Sequence, residues 1–117
     1  MATYTKRSLS GSTNGKAIKI TGTTSGTTTI HTAVTGTADW DEIWAYAQNT
    51  SASAVDLTIE YGGTTSPDNL IIMSIPAKSG LYLMTPGLIL QNGLVITAFA
   101  GTANVITITG FVNRIAA

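Results

Sequence analysis

Hydrophobic and polar residues alternate along much of this chain with a period of two, as in strands that bury one face and leave the other in water. The clearest case is Val55–Tyr61, where Val55, Leu57, Ile59 and Tyr61 fall on one side and Asp56, Thr58 and Glu60 on the other. Lys16–Thr21 is a shorter run of the same kind, and Thr27–Val34 reads as a weakly amphipathic strand. Leu70–Ile75, Leu81–Met84, Leu88–Leu90, Leu94–Ala100 and Val105–Asn113 continue the series. Between them lie Gly22–Gly26, Gly36–Ala38, Asn49–Ala54, Pro76–Gly80, Pro86-Gly87, Gln91–Gly93 and Gly101–Asn104, all built from residues that turn the backbone. Eight or nine short, mainly antiparallel strands at roughly ten-residue spacing predict one all-β domain, a β-sandwich or small barrel.

One segment is ambiguous. In Asp39–Asn49, Trp40, Ile43, Trp44 and Ala47 recur at helical spacing, and Asp39 with Glu42 suits a capping box. Ile43–Gln48 fits a strand equally well, with Trp44 and Tyr46 on one face and alanines on the other. The hairpin-like loop Asn49–Ala54 and the clean strand beyond it favour a strand. Residues 1–15 are polar and turn-rich and read as an N-terminal arm, which leaves 16–117 as the sandwich domain.

Leu57, Ile59, Ile106 and Ile108 each have apolar neighbours two residues away and are predicted core positions. Some later strands are apolar on both sides. Leu94, Ile96 and Ala98 oppose Val95 and Phe99, and Leu81 and Leu83 oppose Tyr82 and Met84. A sandwich strand buries only one face. The second set, Tyr82, Met84, Val95 and Phe99, therefore lies either under a loop or in a subunit interface.

Composition sharpens this picture. The chain has 117 residues, enough for one core, with 44% hydrophobic and only 10% charged residues. An ordinary domain is about 25% charged, so part of this surface is expected to be covered in an assembly. There are 21 threonines, β-branched residues that suit a pleated surface. Six basic and six acidic residues cancel, which argues against a broad grip on nucleic acid. Lys6, Arg7, Lys16 and Lys19 precede every acid, and all six acids lie between Asp39 and Asp68. These groups either pair within the fold or set a basic edge, with Lys6 and Arg7, against an acidic edge of another subunit. No apolar leader and no membrane-length run is visible, so synthesis in the cytoplasm and a soluble product are expected.

Candidate chemistry is sparse. The chain has no cysteine and a single histidine, His31, which reads as a structural side chain rather than a metal ligand or catalytic base. Asp39, Asp41 and Glu42 lack the spacing of a calcium loop and read as a solvated loop before a strand. No G-x-S-x-G elbow and no P-loop occurs, and the glycine turns Gly22–Gly26 and Gly62-Gly63 read as turns alone. Asn49-Thr50-Ser51 matches the glycosylation sequon by chance. Trp40, Trp44, Tyr46 and Tyr61 concentrate aromatic surface, for core or interface packing or for stacking a sugar. No catalytic residue, metal site or cofactor is expected. The chain reads as a structural or binding protein and not as an enzyme.

The segments DEIWAYAQNT, LTIEYGGTTSPDNL, IPAKSGLYL and GLILQNGLVITAFAGTANVITITGFVNRI, spanning Asp41 to Ile115, resemble small virion proteins of tailed bacteriophages. The likeness is greatest to capsid decoration, or cement, proteins. It implies a jelly-roll-like sandwich, a homotrimer or other symmetric homo-oligomer, attachment to the major capsid protein or another virion protein, and residence in the virion. It carries over no catalytic residues. A tail, neck or fibre component on the same fold, with or without receptor binding, and a carbohydrate-binding module using Trp40, Trp44 and Tyr46 are the competing readings.

Overall fold

The computed structural model describes residues 2–116; Met1 and Ala117, the outer ends of the expected arm and sandwich, lie outside the described residues. The threonine-rich, alternating segments form nine strands: β1 (Thr3–Ser8), β2 (Ile18–Lys19), β3 (Thr28–Thr32), β4 (Trp40–Asn49), β5 (Val55–Tyr61), β6 (Leu70–Ile75), β7 (Tyr82–Leu90), β8 (Val95–Ala100) and β9 (Ile106–Ala116). Sheet A runs β1-β9-β4-β7, with β2 also on β9, and sheet B runs β3-β8-β5-β6. All pairings are antiparallel. With β1 and β2 taken as one interrupted strand along β9, the chain crosses between the sheets in the order of an eight-stranded jelly roll. The expected all-β sandwich, including its jelly-roll likeness, is the architecture found.

The core lies between the sheets. Ile43, Leu57, Ile59, Ile75, Ile96, Ile106, Ile108 and Val112 are each at most 1% exposed, and the four predicted core positions are among them. Alanines at 45, 47, 98 and 100 let the sheets approach closely. At Gly110 a Cβ would stand 2.0 Å from the Trp44 carbonyl oxygen, so β9 and β4 pack at that point only because the side chain is missing.

Asp39–Asn49 resolves as strand β4. Asp41, Ile43, Ala45, Ala47 and Asn49 are buried, and the alternate residues face outward. The helical spacing lost because strands on both sides, β7 and β9, hydrogen-bond the whole segment.

Three expectations are corrected. Pro86-Gly87 does not separate two strands: β7 runs through it as an edge strand, where the missing proline N–H is harmless. Two register shifts against β4 leave Met84 and Gly87 as extra, unpaired residues, and Gly87 takes φ 73° as a bulge requires. Second, the faces of Leu81–Met84 are reversed. Leu81 and Leu83 are exposed, Met84 is buried and Tyr82 packs against the core, because Tyr82 registers with inward Ala47 and Leu83 with outward Tyr46. Leu94, expected inward, is exposed where the chain enters β8. Third, the expected N-terminal arm does not stand apart from the sandwich: Thr3–Ser8 pairs with β9 over six residues and Leu9 is buried in the core.

Candidate functional site

The outward residues of β4 decide the character of sheet A. Directly paired residues share a face in an antiparallel sheet, so the register extends that face from strand to strand. Trp40 lies beside Ile115, Glu42 beside Asn113 and Ile89, Trp44 beside Phe111 and Pro86, and Tyr46 beside Thr109 and Leu83. On the far side of β9, Tyr4 adjoins Ile115 and Lys6 adjoins Asn113. The result is a broad aromatic and aliphatic face on which Tyr4 is 67%, Ile89 50%, Leu83 42% and Trp40 39% exposed.

Its centre is a ladder across three strands. The Lys6 ammonium sits 4.5 Å from the Phe111 ring centroid, and Phe111 stacks on Trp44 with centroids 6.2 Å apart and planes 14° from parallel. Because β9 lies between β1 and β4, Lys6 and Trp44 take opposite sides of Phe111. Glu42 locks the ladder: its Oε1 accepts from the Trp44 indole N–H at 2.7 Å and from the Asn113 amide at 3.1 Å. These hydrogen bonds hold the Glu42 carboxyl below its ordinary pKa. Gly87 makes room, since a Cβ there would stand 2.8 Å from the Trp44 ring.

Sheet B presents a different outer face. Glu60 points outward from β5 yet is only 1% exposed, because the Gly22–Gly26 turn closes over it. Its carboxylate accepts from the Ser25 hydroxyl, from the Gly26 N–H at 2.8 Å and from the Thr97 hydroxyl at 2.8 Å. Burial pushes the Glu60 carboxyl up, and these donors outweigh it, leaving the pKa below its ordinary value. The turn therefore does cradle an anion, and the anion is the chain's own.

His31 and Asp41 are drawn together inside the sandwich. Asp41, expected in a solvated loop, is fully buried on β4, a position that its parity with Ile43 and Ala45 could have indicated. Its Oδ2 lies 2.8 Å from His31 Nε2, and Arg114 Nε donates to Oδ1 at 2.8 Å. The Val34 N–H also donates to Oδ2 at 3.1 Å. Burial raises the Asp41 pKa, and the bonds from Arg114 and His31 lower it further than burial raises it, so it ends below the ordinary value. The Ser10 N–H donates to His31 Nδ1 at 2.9 Å, which leaves the ring proton on Nε2, facing Asp41. With both ring nitrogens engaged, His31 has no free lone pair for a substrate. Ser10 Oγ accepts from the Thr32 N–H at 2.7 Å, so serine and histidine share no reactive contact. The cluster is a staple joining the Leu9–Gly11 segment, β3, β4 and β9.

The expected interface residues are dispersed. Lys6 lies on the aromatic face of sheet A, and Arg7 on the opposite side of β1. Val95 and Phe99 lie on the outer face of sheet B, with Val95 exposed and Phe99 half-buried. Tyr82 and Met84 belong to the core side, a correction to their assignment to a second face. Tyr61 leaves the aromatic group as well. It packs on the core, where burial pushes its hydroxyl up to about 12. Phe111, Leu83 and Ile89, which build the face, were invisible before the strand register was known. Asn49 of the sequon is buried, with its amide nitrogen donating to Ser53 and Ile75 carbonyls.

No pocket opens among the described residues, and no group of three or more His, Asp or Glu among them could hold a metal ion. Among the described residues no helix is long and apolar enough to cross a membrane. No protein-family model, no curated protein and no solved structure matches this chain.

Proposed function

We propose that this chain is a non-catalytic structural protein of a bacteriophage virion, made in the bacterial cytoplasm, that decorates or cements the outer shell. In this reading it packs against the major capsid protein and against copies of itself, stabilising the shell by mass action as sites fill. The observation that carries it is the outer face of sheet A, a broad aromatic and aliphatic surface on a domain whose described residues form no pocket. A face of that chemistry marks contact with another macromolecule rather than turnover of a small one. The jelly-roll topology is in keeping with this, since viral capsid domains use it, though lectins do too.

The carbohydrate-binding reading is the weaker one for a specific reason. A sugar stacks on the open face of an aromatic ring, and Trp44, the middle ring of that reading, is stacked on Phe111 and tied by its indole N–H to Glu42.

The test is a mass-spectrometric census of purified particles that carry this gene, with copy number. Shell proportions, together with loss of heat resistance in particles stripped of the protein and its recovery on adding the protein back, support decoration. A few copies per particle would move the protein to the tail or neck, and absence from particles would end the virion reading.

A further inference from the structure

We infer that the outer face of sheet A closes on the same face of a second copy of this chain. The inference concerns which surface self-associates, and it stands or falls on the purified protein, independently of whether the virion reading holds.

Three observations select this occupant. First, the centre of the face is electrically quiet, the exposed Lys19 lying at the margin beside Thr107 at the start of β9. The two charged side chains near the centre are engaged within the chain, Lys6 on the Phe111 ring and Glu42 by Trp44 and Asn113. Like charges opposed across an interface oppose self-association, and a partner chosen by charge needs a free charge to choose it. The centre of the face escapes the first cost and lacks the second handle.

Second, the size fits. With a ten-residue β4, a rise of ~3.3 Å per residue and four strands ~4.8 Å apart, the face covers about 600 Å². Two such faces in contact bury about 1,200 Å², which enters the range of specific, stable protein–protein interfaces. The partial exposure of Trp40, Leu83, Ile89 and Tyr4 supplies apolar area for it. Homodimer contacts are the interfaces richest in apolar surface.

Third, the face is built rigid. Trp44 is held by its stack on Phe111, by its hydrogen bond to Glu42 and by contact with the bulge at Gly87, so little rotamer entropy remains to be lost on docking. Sheet B lacks these features: its outer face holds a buried carboxylate under a turn, and the exposed Ile72 stands among Thr58, Ser74 and Leu70.

The experiment uses the full chain. Sedimentation velocity over a concentration series gives the association constant, and the emission of the two tryptophans, both on this face, gives a second readout. Leu83→Lys and Ile89→Lys place a charge on exposed positions of β7 and leave the core untouched. Each is expected to weaken self-association by roughly tenfold or more, with unchanged circular dichroism and, at dilutions where both proteins are monomeric, an unchanged melting temperature. Ile72→Lys, on the outer face of sheet B, is expected to leave association unchanged. Diluting the parent protein is expected to shift tryptophan emission to the red, and the Ile89→Lys protein should show the red-shifted emission at all concentrations.

A parent chain that stays monomeric up to about 100 µM overturns the inference. So does association that survives the Leu83→Lys, Ile89→Lys pair, or that Ile72→Lys abolishes. A monomer whose binding to particles is lost on Ile89→Lys assigns the face to the shell instead, which also overturns self-pairing while leaving the virion reading intact. A dimer disrupted at β7 in a protein absent from particles supports the inference and removes the virion reading.

Discussion

The two sheets share a core and differ on their outer faces. On sheet B the chain covers itself: the Gly22–Gly26 turn lies over β5 and delivers Ser25 and Gly26 to the Glu60 carboxylate. On sheet A nothing in the described residues covers the ladder of Lys6, Phe111 and Trp44, although its aromatic and aliphatic rows offer more to bury. On sheet B the carboxylate is closed over while Ile72 and Val95 stay exposed beside it, and on sheet A the aromatic ladder is left open, the reverse of what burial alone would favour for a solitary domain. The contrast is that sheet B uses a buried carboxylate to hold its own turn, while sheet A leaves Tyr4, Trp40, Leu83 and Ile89 exposed.

That contrast presupposes two sheets held firmly together, and Asp41 is where it breaks most readily. Asp41 on β4 of sheet A bonds His31 on β3 of sheet B and Arg114 on β9. Asp41→Ala leaves a largely buried guanidinium end and a histidine without their acceptor. A loss of about 3–5 kcal/mol is expected, toward the lower end because Arg114 retains some contact with water. Urea melts measure it, and a loss below about 1 kcal/mol would mean that the staple does not join the sheets. Ile59→Ala and Ile108→Ala, one on each sheet and both facing the core, are expected to cost about 2–5 kcal/mol each. Comparable losses would show that both sheets contribute to a common core.

How much of this was legible beforehand depends on whether a residue's fate is local. Val55–Tyr61 and Leu70–Ile75 were read to the residue because alternation and flanking turns are properties of the segment itself. The LYLM run failed because apolar residues on both sides carry no phase, and the bulges at Met84 and Gly87 appear only when β7 is laid against β4. The burial of Asp41 and Glu60 is not legible in their own segments, because burial of a carboxylate depends on distant partners. Those partners are Arg114, 73 residues away, and Ser25, 35 residues away. Trp40, Trp44 and Tyr46 were recognisable as an aromatic group, but Phe111, Leu83 and Ile89 joined them only through register.

Opening sheet B sharpens the comparison from the other side. Glu60→Ala removes the acceptor for Ser25, Gly26 and Thr97, so the turn should lose its anchor. The expected cost is about 1–3 kcal/mol, set by the donors left to find water. Faster hydrogen exchange at Gly26, with little change in β4 and β9, would show that the effect is confined to sheet B.

Acid should act on both carboxylates at once. Asp41 and Glu60 have folded pKa values below their ordinary values of 3.8 and 4.5. The stability they contribute is therefore complete above about pH 5 and is lost progressively as pH falls through those values. The Glu60→Ala protein should show a shallower decline than the parent over that interval, because one of the two groups no longer titrates. An equal slope in both proteins would assign the acid response to Asp41 and Glu42, whose carboxyls are also held below their ordinary values.

The smallest expected effect lies on β1, whose two basic residues point to opposite sides of one strand. Lys6 faces the Phe111 ring on the aromatic side, and Arg7 sits on the other side, opposite Val112. Both are exposed and belong to a strand whose side chains bury nothing, so neither should matter much to folding. A cation over an exposed ring is worth about 0.5–1 kcal/mol, which sets the loss expected for Lys6→Ala, while Arg7→Ala should leave stability within the error of a urea melt. Lys6→Met keeps most of the side-chain length and loses the charge, so it separates attraction to the ring from simple coverage of it. A Lys6→Met protein as stable as the parent would show that Lys6 shields Phe111 by its stem, and the ladder would then be an apolar contact across three strands rather than a charged one.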